Sequence, residues 1–334
     1  MESTSSVPLG LDQVVAARHA IANVALQSPV LRSHVLSGLT GTPVALKLEN
    51  LQVTGSFKVR GAANRLLALS GEERARGIVT CSSGNHGKAV AYVAELLGIR
   101  ATVCVPEWVD SSKLAAIRRY GAVAVLHGDT YDAAEQRSYE IQREQGSTYV
   151  NPFDDPLIIA GQGTIGLELL EQDPDLDTVL VPLSGGGLIG GIALAAKSAN
   201  PKIRVVAVSA ANARVMFESL KSGRPLAFPE EETVASALSG GIGLDNRYTF
   251  QLVQDYVDEH LLVTEDEICE AMQFAAVELK LVVEGGGAVG IAALLSGKFA
   301  AHGKHTAVVV SGGNIGLETL AGIKQDGARG GEGR

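Results

Sequence analysis

Short apolar runs rich in β-branched residues alternate with longer runs whose apolar residues recur every three to four positions, almost without a break from Gly77 to Val310. The pattern predicts strands at 78–81, 101–105 and 123–126, with helices at 88–97, 111–120 and 131–145. After the turn Asn151-Pro152-Phe153-Asp154-Asp155-Pro156 the same grammar resumes. Helix 159–170, strand 178–182, helix 188–198 and strand 203–208 lead to helices at 213–221 and 247–256. Strand 261–263, helices 265–279 and 288–295, and strand 306–310 complete the series. Before Gly77 stand a helix at 11–25, the extended Pro29-Val30-Leu31, and a strand at 44–48. Parallel strands need a crossover, and a helix between each pair supplies it. An α/β fold with open, twisted, mostly parallel sheets is therefore expected.

At 334 residues and 46% hydrophobic content the chain can bury more than one simple sheet holds, so two α/β lobes with a cleft between them are expected. The division places 1–73 and 150–334 in a large lobe and 74–149 in a small one, with the turn at 151–156 as a crossing point. No internal repeat is evident, and the tail 327–334 is expected to be disordered. A net charge of −9 without a basic block argues against a nucleic-acid partner and for small molecules. No stretch reaches the length of an apolar membrane span, and residues 1–10 lack a cationic start and apolar core, so a cytoplasmic protein is expected. Cys81, Cys104 and Cys269 are odd in number and widely spaced, which favours buried free thiols over a disulfide or metal site.

Four stretches carry residues suited to chemistry. Thr54-Gly55-Ser56-Phe57-Lys58 sets a lysine amine at the start of a helix containing Ala62, Ala63, Leu66 and Leu67. Ser82-Ser83-Gly84-Asn85-His86-Gly87, Ser184-Gly185-Gly186-Gly187-Leu188 and Ser311-Gly312-Gly313-Asn314 each follow an apolar strand, where open α/β sheets bind ligands. Successive amides at 185–188, opening a helix, suit a phosphate. That loop has neither the Lys-Ser/Thr ending of a Walker loop nor the GxGxxG pattern of a dinucleotide fold. Each stretch also has a plainer reading. Lys58 is then a surface amine, 184–188 a tight strand-to-helix turn, His86 a structural hydrogen-bonder, and Ser311 or Glu284 a helix cap.

Taken together and in this order, these motifs resemble the fold type II pyridoxal phosphate enzymes of the threonine dehydratase and serine racemase group, over about 31–324. The resemblance implies a tryptophan synthase β-like architecture with the cofactor in the cleft. It implies Lys58 as the cofactor-bearing lysine and proton acceptor, with Ser83 as the group on the opposite face. Phe57, Asn85, Ser184, Gly185, Gly186, Gly187, Leu188 and Ser311 would hold the cofactor. Ser82, Ser83, Gly84, Asn85, His86 and Glu284 would hold the substrate, His86 without moving a proton. Ser311 would meet the pyridine nitrogen as a neutral partner, where many other such enzymes place an Asp. This favours loss of a β-leaving group over transamination.

Two positions depart from the family pattern. Ser184 replaces the usual first glycine of the phosphate loop. Ser209-Ala210-Ala211 stands where racemase-like members carry a cation-binding Glu-Pro, so no metal is expected. The activity implied is removal of water from a β-hydroxy α-amino acid, giving a 2-oxo acid and ammonia. A serine or hydroxyaspartate racemase is the first alternative, a cysteine synthase-like enzyme the second, and a silent or nicotinamide-dependent phosphate-ligand binder the third. The stretches 239–247 and 282–295 look closer to hydroxyectoine-utilisation dehydratases, which would imply a substrate such as 3-hydroxy-2,4-diaminobutyrate. A chain ending near Lys324 leaves no room for a regulatory domain, so branched-chain feedback is not expected. A homodimer is expected on base rates.

Overall fold

The computed structural model describes residues 9–229, 231–301, 303 and 305–326; the tail 327–334 lies outside the described residues. Its strands are β1 (Val30–Arg32), β2 (Val44–Leu48), β3 (Ile78–Cys81), β4 (Ala101–Val105) and β5 (Val123–Leu126). They continue with β6 (Thr148–Tyr149), β7 (Thr178–Pro182), β8 (Arg204–Ala210), β9 (Glu259–Val263) and β10 (Thr306–Val310). Six form one sheet in the order β1-β2-β10-β7-β8-β9, and four form another in the order β5-β4-β3-β6. Every pair is parallel except β1 with β2. β2, β3, β7 and β10 are buried along their whole length, as strands covered by helices on both faces must be.

The four-stranded sheet comes from one continuous stretch, whereas the six-stranded sheet draws on residues before and after it. The inner strands β2, β10 and β7 lie side by side, so the loops at their carboxyl ends emerge together.

Several elements differ from expectation, for local reasons. Helices Asn85–Leu97, Pro156–Gln172 and Gly285–Leu295 begin before the expected 88, 159 and 288, because the glycine- and turn-rich residues form their first turns. Asp155 caps the second of these, accepting from the amides of Leu157 and Ile158, with Pro156 at the first helical position. Short helices His34–Thr40 and Gly71–Arg76 were not expected; Ser33 and Ser70 cap them, the latter in a capping box with Glu73. The first helix stops at Ile21 rather than at Ala25, and β8 runs on to Ala210. Cys81 and Cys104 are register partners on β3 and β4 and are buried free thiols, while Cys269 is only partly buried.

Candidate active site

Lys58 opens the helix Lys58–Leu67, and the loop before it is stitched to the loop after β10. Ser56 bridges to Gly312, the Phe57 amide donates to Ser311 O (3.1 Å), and the Gly313 amide donates to Gly55 O (2.9 Å). The Lys58 amine is half-buried. It donates to Pro152 O (2.7 Å) and lies 5.3 Å from the Phe57 ring centroid. No carboxylate pairs with it among the described residues, so burial is unopposed and lowers its pKa to about 8. An amine neutral in part near neutral pH is a nucleophile and base, which an ordinary surface lysine is not. In the cofactor-free protein, acylation of Lys58 followed by peptide mass spectrometry should reach half its maximal rate near pH 8; a midpoint near 10.5 would show that this environment is not formed.

The residues Pro152 and Phe153 link Lys58 to the glycine loop after β7. A Cβ at Gly185 would sit 2.5 Å from Phe153 Cγ, and Gly186 takes φ +88°, so a side chain is excluded at both positions. The result is a bare run of amides leading into the helix Gly187–Ala199. Ser184 is half-buried at the mouth of this run, and Leu188 packs into the core behind it. A run of side-chain-free amides at a helix N-terminus suits a phosphate.

On the smaller sheet, Ser82 Oγ accepts from the Gly84 amide (3.2 Å) and Asn85 is the first residue of its helix. Asn85 Nδ2 donates to Glu284 Oε1 (2.6 Å), and its Oδ1 accepts from Asn314 Nδ2 (2.7 Å). Asn314 Nδ2 also donates to Thr54 O (2.9 Å), and Lys88 Nζ donates to Asn314 Oδ1 (2.8 Å). This single carboxamide therefore touches the Lys58 loop and the Ser82–Gly87 loop at once. Burial raises the Glu284 carboxyl to about 7 against the opposing bond from Asn85, so it carries its proton about half the time at neutral pH. His86 is buried within 3.2 Å of Val150 O, and burial with the neighbouring Lys58 charge lowers its pKa to about 3. It stays neutral and donates to that carbonyl, holding the loop rather than moving protons. Ser311 is buried and its hydroxyl donates to Gly286 O (3.3 Å), a long bond easily exchanged.

Lys58, Phe57, Asn85, His86, Glu284 and Ser311 thus belong to one connected site, and the Gly185–Gly187 run joins it through Phe153. Ser83 is half-buried and Gly84 exposed, and the Gly84 amide bonds within the loop to Ser82 Oγ. Ser209, where the resemblance has a glutamate, ends up inside β8 with its hydroxyl donating to Leu183 O (2.9 Å). Sequence reasoning missed Pro152, whose role is played by its backbone carbonyl, and named the loop ending in Asn314 without giving that residue a role. It also missed Asp154, which accepts from the amides of Arg247, Tyr248 and Thr249 and so ties the 151–156 turn to the helix Thr249–Tyr256.

The family model for pyridoxal-phosphate dependent enzymes matches residues 21–312. The chain is 43% identical over 310 residues to the L-threonine ammonia-lyase of Thermotoga maritima, covering 93% of this chain and 77% of that protein. It is 40% identical over 325 residues to the catabolic L-threonine dehydratase TdcB of Escherichia coli, covering 97% and 98%. Among solved structures it is similar to maize serine racemase, with TM-score 0.89 and 36% identity over 96% of this chain and 98% of that one. The serine racemase of Dictyostelium discoideum aligns with TM-score 0.86 and 37% identity, over 92% and 99%. With its two sheets, its lysine at the head of a helix and its glycine cradle, the chain belongs to the family of pyridoxal-phosphate dependent enzymes, in the fold type II branch that holds threonine dehydratases and serine racemases.

Proposed function

We propose that this chain is a pyridoxal phosphate dependent ammonia-lyase that removes water from a threonine- or serine-like β-hydroxy amino acid. The observation that carries the reading is the Lys58 amine, paired with no carboxylate among the described residues and held on Pro152 O beside a side-chain-free run of amides. Those residues suit the cofactor: an aldehyde needs an uncharged amine, which Lys58 supplies, and a phosphate needs convergent donors, which Ser184 to Leu188 supply. When bound, pyridoxal phosphate supplies a sink for electrons released at the substrate α-carbon.

The remaining roles belong to the chain. Ser82, Ser83 and Gly84, with the amides opening the helix Asn85–Leu97, bind the substrate carboxylate. Phe57 would pack beside the cofactor and Asn85 would offer it a carboxamide. Lys58 Nζ, once free, takes the α-proton. Ser311 would offer the cofactor a hydroxyl and no negative charge, favouring loss of the β-hydroxyl, which leaves as water with one proton, balancing the one that Lys58 Nζ takes. The unsaturated amine that leaves adds water in solution and splits into a 2-oxo acid and ammonia. In this reading residues 1–73 with 150–334 form the lobe bearing Lys58, and 74–149 form the lobe bearing Ser83. Among the described residues no helix is long and apolar enough to cross a membrane. The reading extends to a cytoplasmic homodimer acting on free amino acids, with no nucleic-acid partner and no metal.

The test is an absorbance scan of purified protein. Assays of 2-oxo acid and ammonia follow with L-threonine, L-serine, D-serine, threo-3-hydroxyaspartate and 3-hydroxy-2,4-diaminobutyrate. A Lys58-dependent visible band with ammonia release from L-threonine or L-serine is the expected result. Release from the diaminobutyrate alone would establish the hydroxyectoine-type substrate instead. Inversion of chirality without ammonia would make the enzyme a racemase, and absence of a band after adding pyridoxal phosphate would sink the reading.

A further inference from the structure

Behind Lys58 lies a buried cluster of four charges that the reaction scheme leaves unused. Arg60 is 1% exposed and Glu49 and Lys47 are fully buried. Arg60 donates through Nε and Nη2 to the two oxygens of Glu49 (2.9 and 2.8 Å) and through Nη1 and Nη2 to those of Glu168 (2.6 and 2.8 Å). It also reaches Thr164 Oγ1 and Leu26 O, both at 3.0 Å. Lys47 Nζ directs its three protons to Glu168 Oε2 (2.6 Å), Ser28 O (2.7 Å) and Gln172 Oε1 (2.7 Å). Two cations face two anions, and every guanidinium donor is used.

Such a cluster is a poor source of stability compared with well-packed apolar side chains, because desolvation consumes most of the Coulomb gain. What a planar, doubly forked guanidinium supplies is orientation. Residues two apart on a helix point about 200° from each other, so Lys58 and Arg60 leave opposite faces of the helix Lys58–Leu67. Glu168 lies on the helix Pro156–Gln172, whose start directly follows the segment carrying Pro152, the acceptor of the Lys58 amine. Arg65 pairs with Asp155 (3.1 Å) at the other end of the same helix contact. Between these two ties the backbones touch: a Cβ at Gly161 would lie 2.6 Å from Arg60 O and 2.7 Å from Gly61 Cα. The amine and its acceptor are thus carried by one two-helix unit with fixed rotation.

We propose that Arg60 is a positioning residue for the reaction: its forks to Glu49 and Glu168 set the rotation and height of the Lys58–Leu67 helix and thereby aim the Lys58 amine. This rests on Lys58 being the cofactor-bearing lysine. The double variant R60M/E49Q removes one cation and one anion, keeps the Lys47–Glu168 pair and leaves no carboxylate stranded. It should fold with little change in melting temperature, yet lose about 10- to 100-fold in kcat, the range a misplacement of about 1 Å produces, with KM for the amino acid nearly unchanged. In the cofactor-stripped full-length protein, the pH midpoint for acylation of Lys58 should rise from about 8 toward 10.5. A folded double variant that keeps both kcat and the acylation midpoint would overturn the proposal and leave the cluster a matter of packing. Should the double variant fail to fold, R60K retains the charge without the fork, with the same two shifts expected and their joint absence decisive. The acylation midpoint is read without cofactor, so it separates failure of this inference from failure of the lyase reading, which the absence of a Lys58-dependent band would reveal.

Discussion

Replacing Lys58 with Ala should lower turnover by about 10³- to 10⁴-fold or more, because one substitution removes both the amine that carries the cofactor and the base that takes the α-proton. The fold should survive. Among the described residues the amine's one hydrogen bond is to Pro152 O, and losing one hydrogen bond of this kind costs about 1 kcal/mol. Circular dichroism and the melting temperature of Lys58→Ala should therefore stay near those of the parent while ammonia release from the preferred amino acid disappears. A small primary amine added to the assay should restore part of the rate, since it can enter the space left by the side chain and accept a proton there. Full activity in Lys58→Ala would exclude the lyase mechanism, and loss of activity with loss of fold would show as a collapsed melting transition.

The largest expected effect on stability lies behind the site. Among the described residues, Arg60→Ala leaves the buried Glu49 carboxylate with the Ser28 hydroxyl and more distant charges to face it, while Glu168 keeps Lys47. Breaking a buried pair by removing one partner costs about 3–5 kcal/mol, a large part of the stability of an ordinary domain. The sign with pH is set by Glu49. Burial alone would raise its pKa, but Arg60 holds it below the usual 4.5, so the contribution it makes in the parent protein is present above that value and lost as pH falls through the depressed one. In Arg60→Ala burial outweighs what the Ser28 hydroxyl and the more distant Lys47 offer, so the Glu49 carboxyl is pushed up and the penalty is relieved by protonation. The gap between parent and variant in urea midpoints should be widest near neutral pH and narrow as pH falls toward 4. A gap independent of pH would mean that Glu49 is not the stranded group.

The parts of this fold that were legible in the sequence are those dictated by short-range chemistry. β2, β3, β4, β5, β7 and β10 fall where runs such as Val-Ala-Leu-Lys-Leu and Thr-Ala-Val-Val-Val place them, because β-branched runs between helices have few other uses. The helix starts were read late, since Asn85-His86-Gly87 and Gly285-Gly286-Gly287 look like loop until the N-terminal turn they form is seen. Most side chains expected in the site meet there, but the contacts that join them were hidden. Pro152 acts through a carbonyl that every residue possesses, and Asn314 through a partner 229 positions away. Lys47, Glu49, Arg60 and Glu168 were invisible for the opposite reason. Alone, each reads as a solvated charge, and only long-range pairing across 121 positions for Lys47 and Glu168 makes burial tolerable.

The order of strands in the larger sheet sets a timetable for synthesis. β10 is the last of the described strands to be made, yet it lies between β2 and β7, and both of its neighbours leave the ribosome well before it. At about 5–20 residues per second, β2 waits on the order of tens of seconds for its parallel partner. The sheet of β3 to β6, drawn from contiguous chain, can close during that wait. The larger one stays open at its middle, with two apolar strand edges available to other nascent chains. A polypeptide halted before Thr306 would also lack the residues at 311–313 that stitch the Lys58 loop in place. Substitutions that slow docking of β10 should therefore depress yield in cells more than they depress the stability of the finished enzyme.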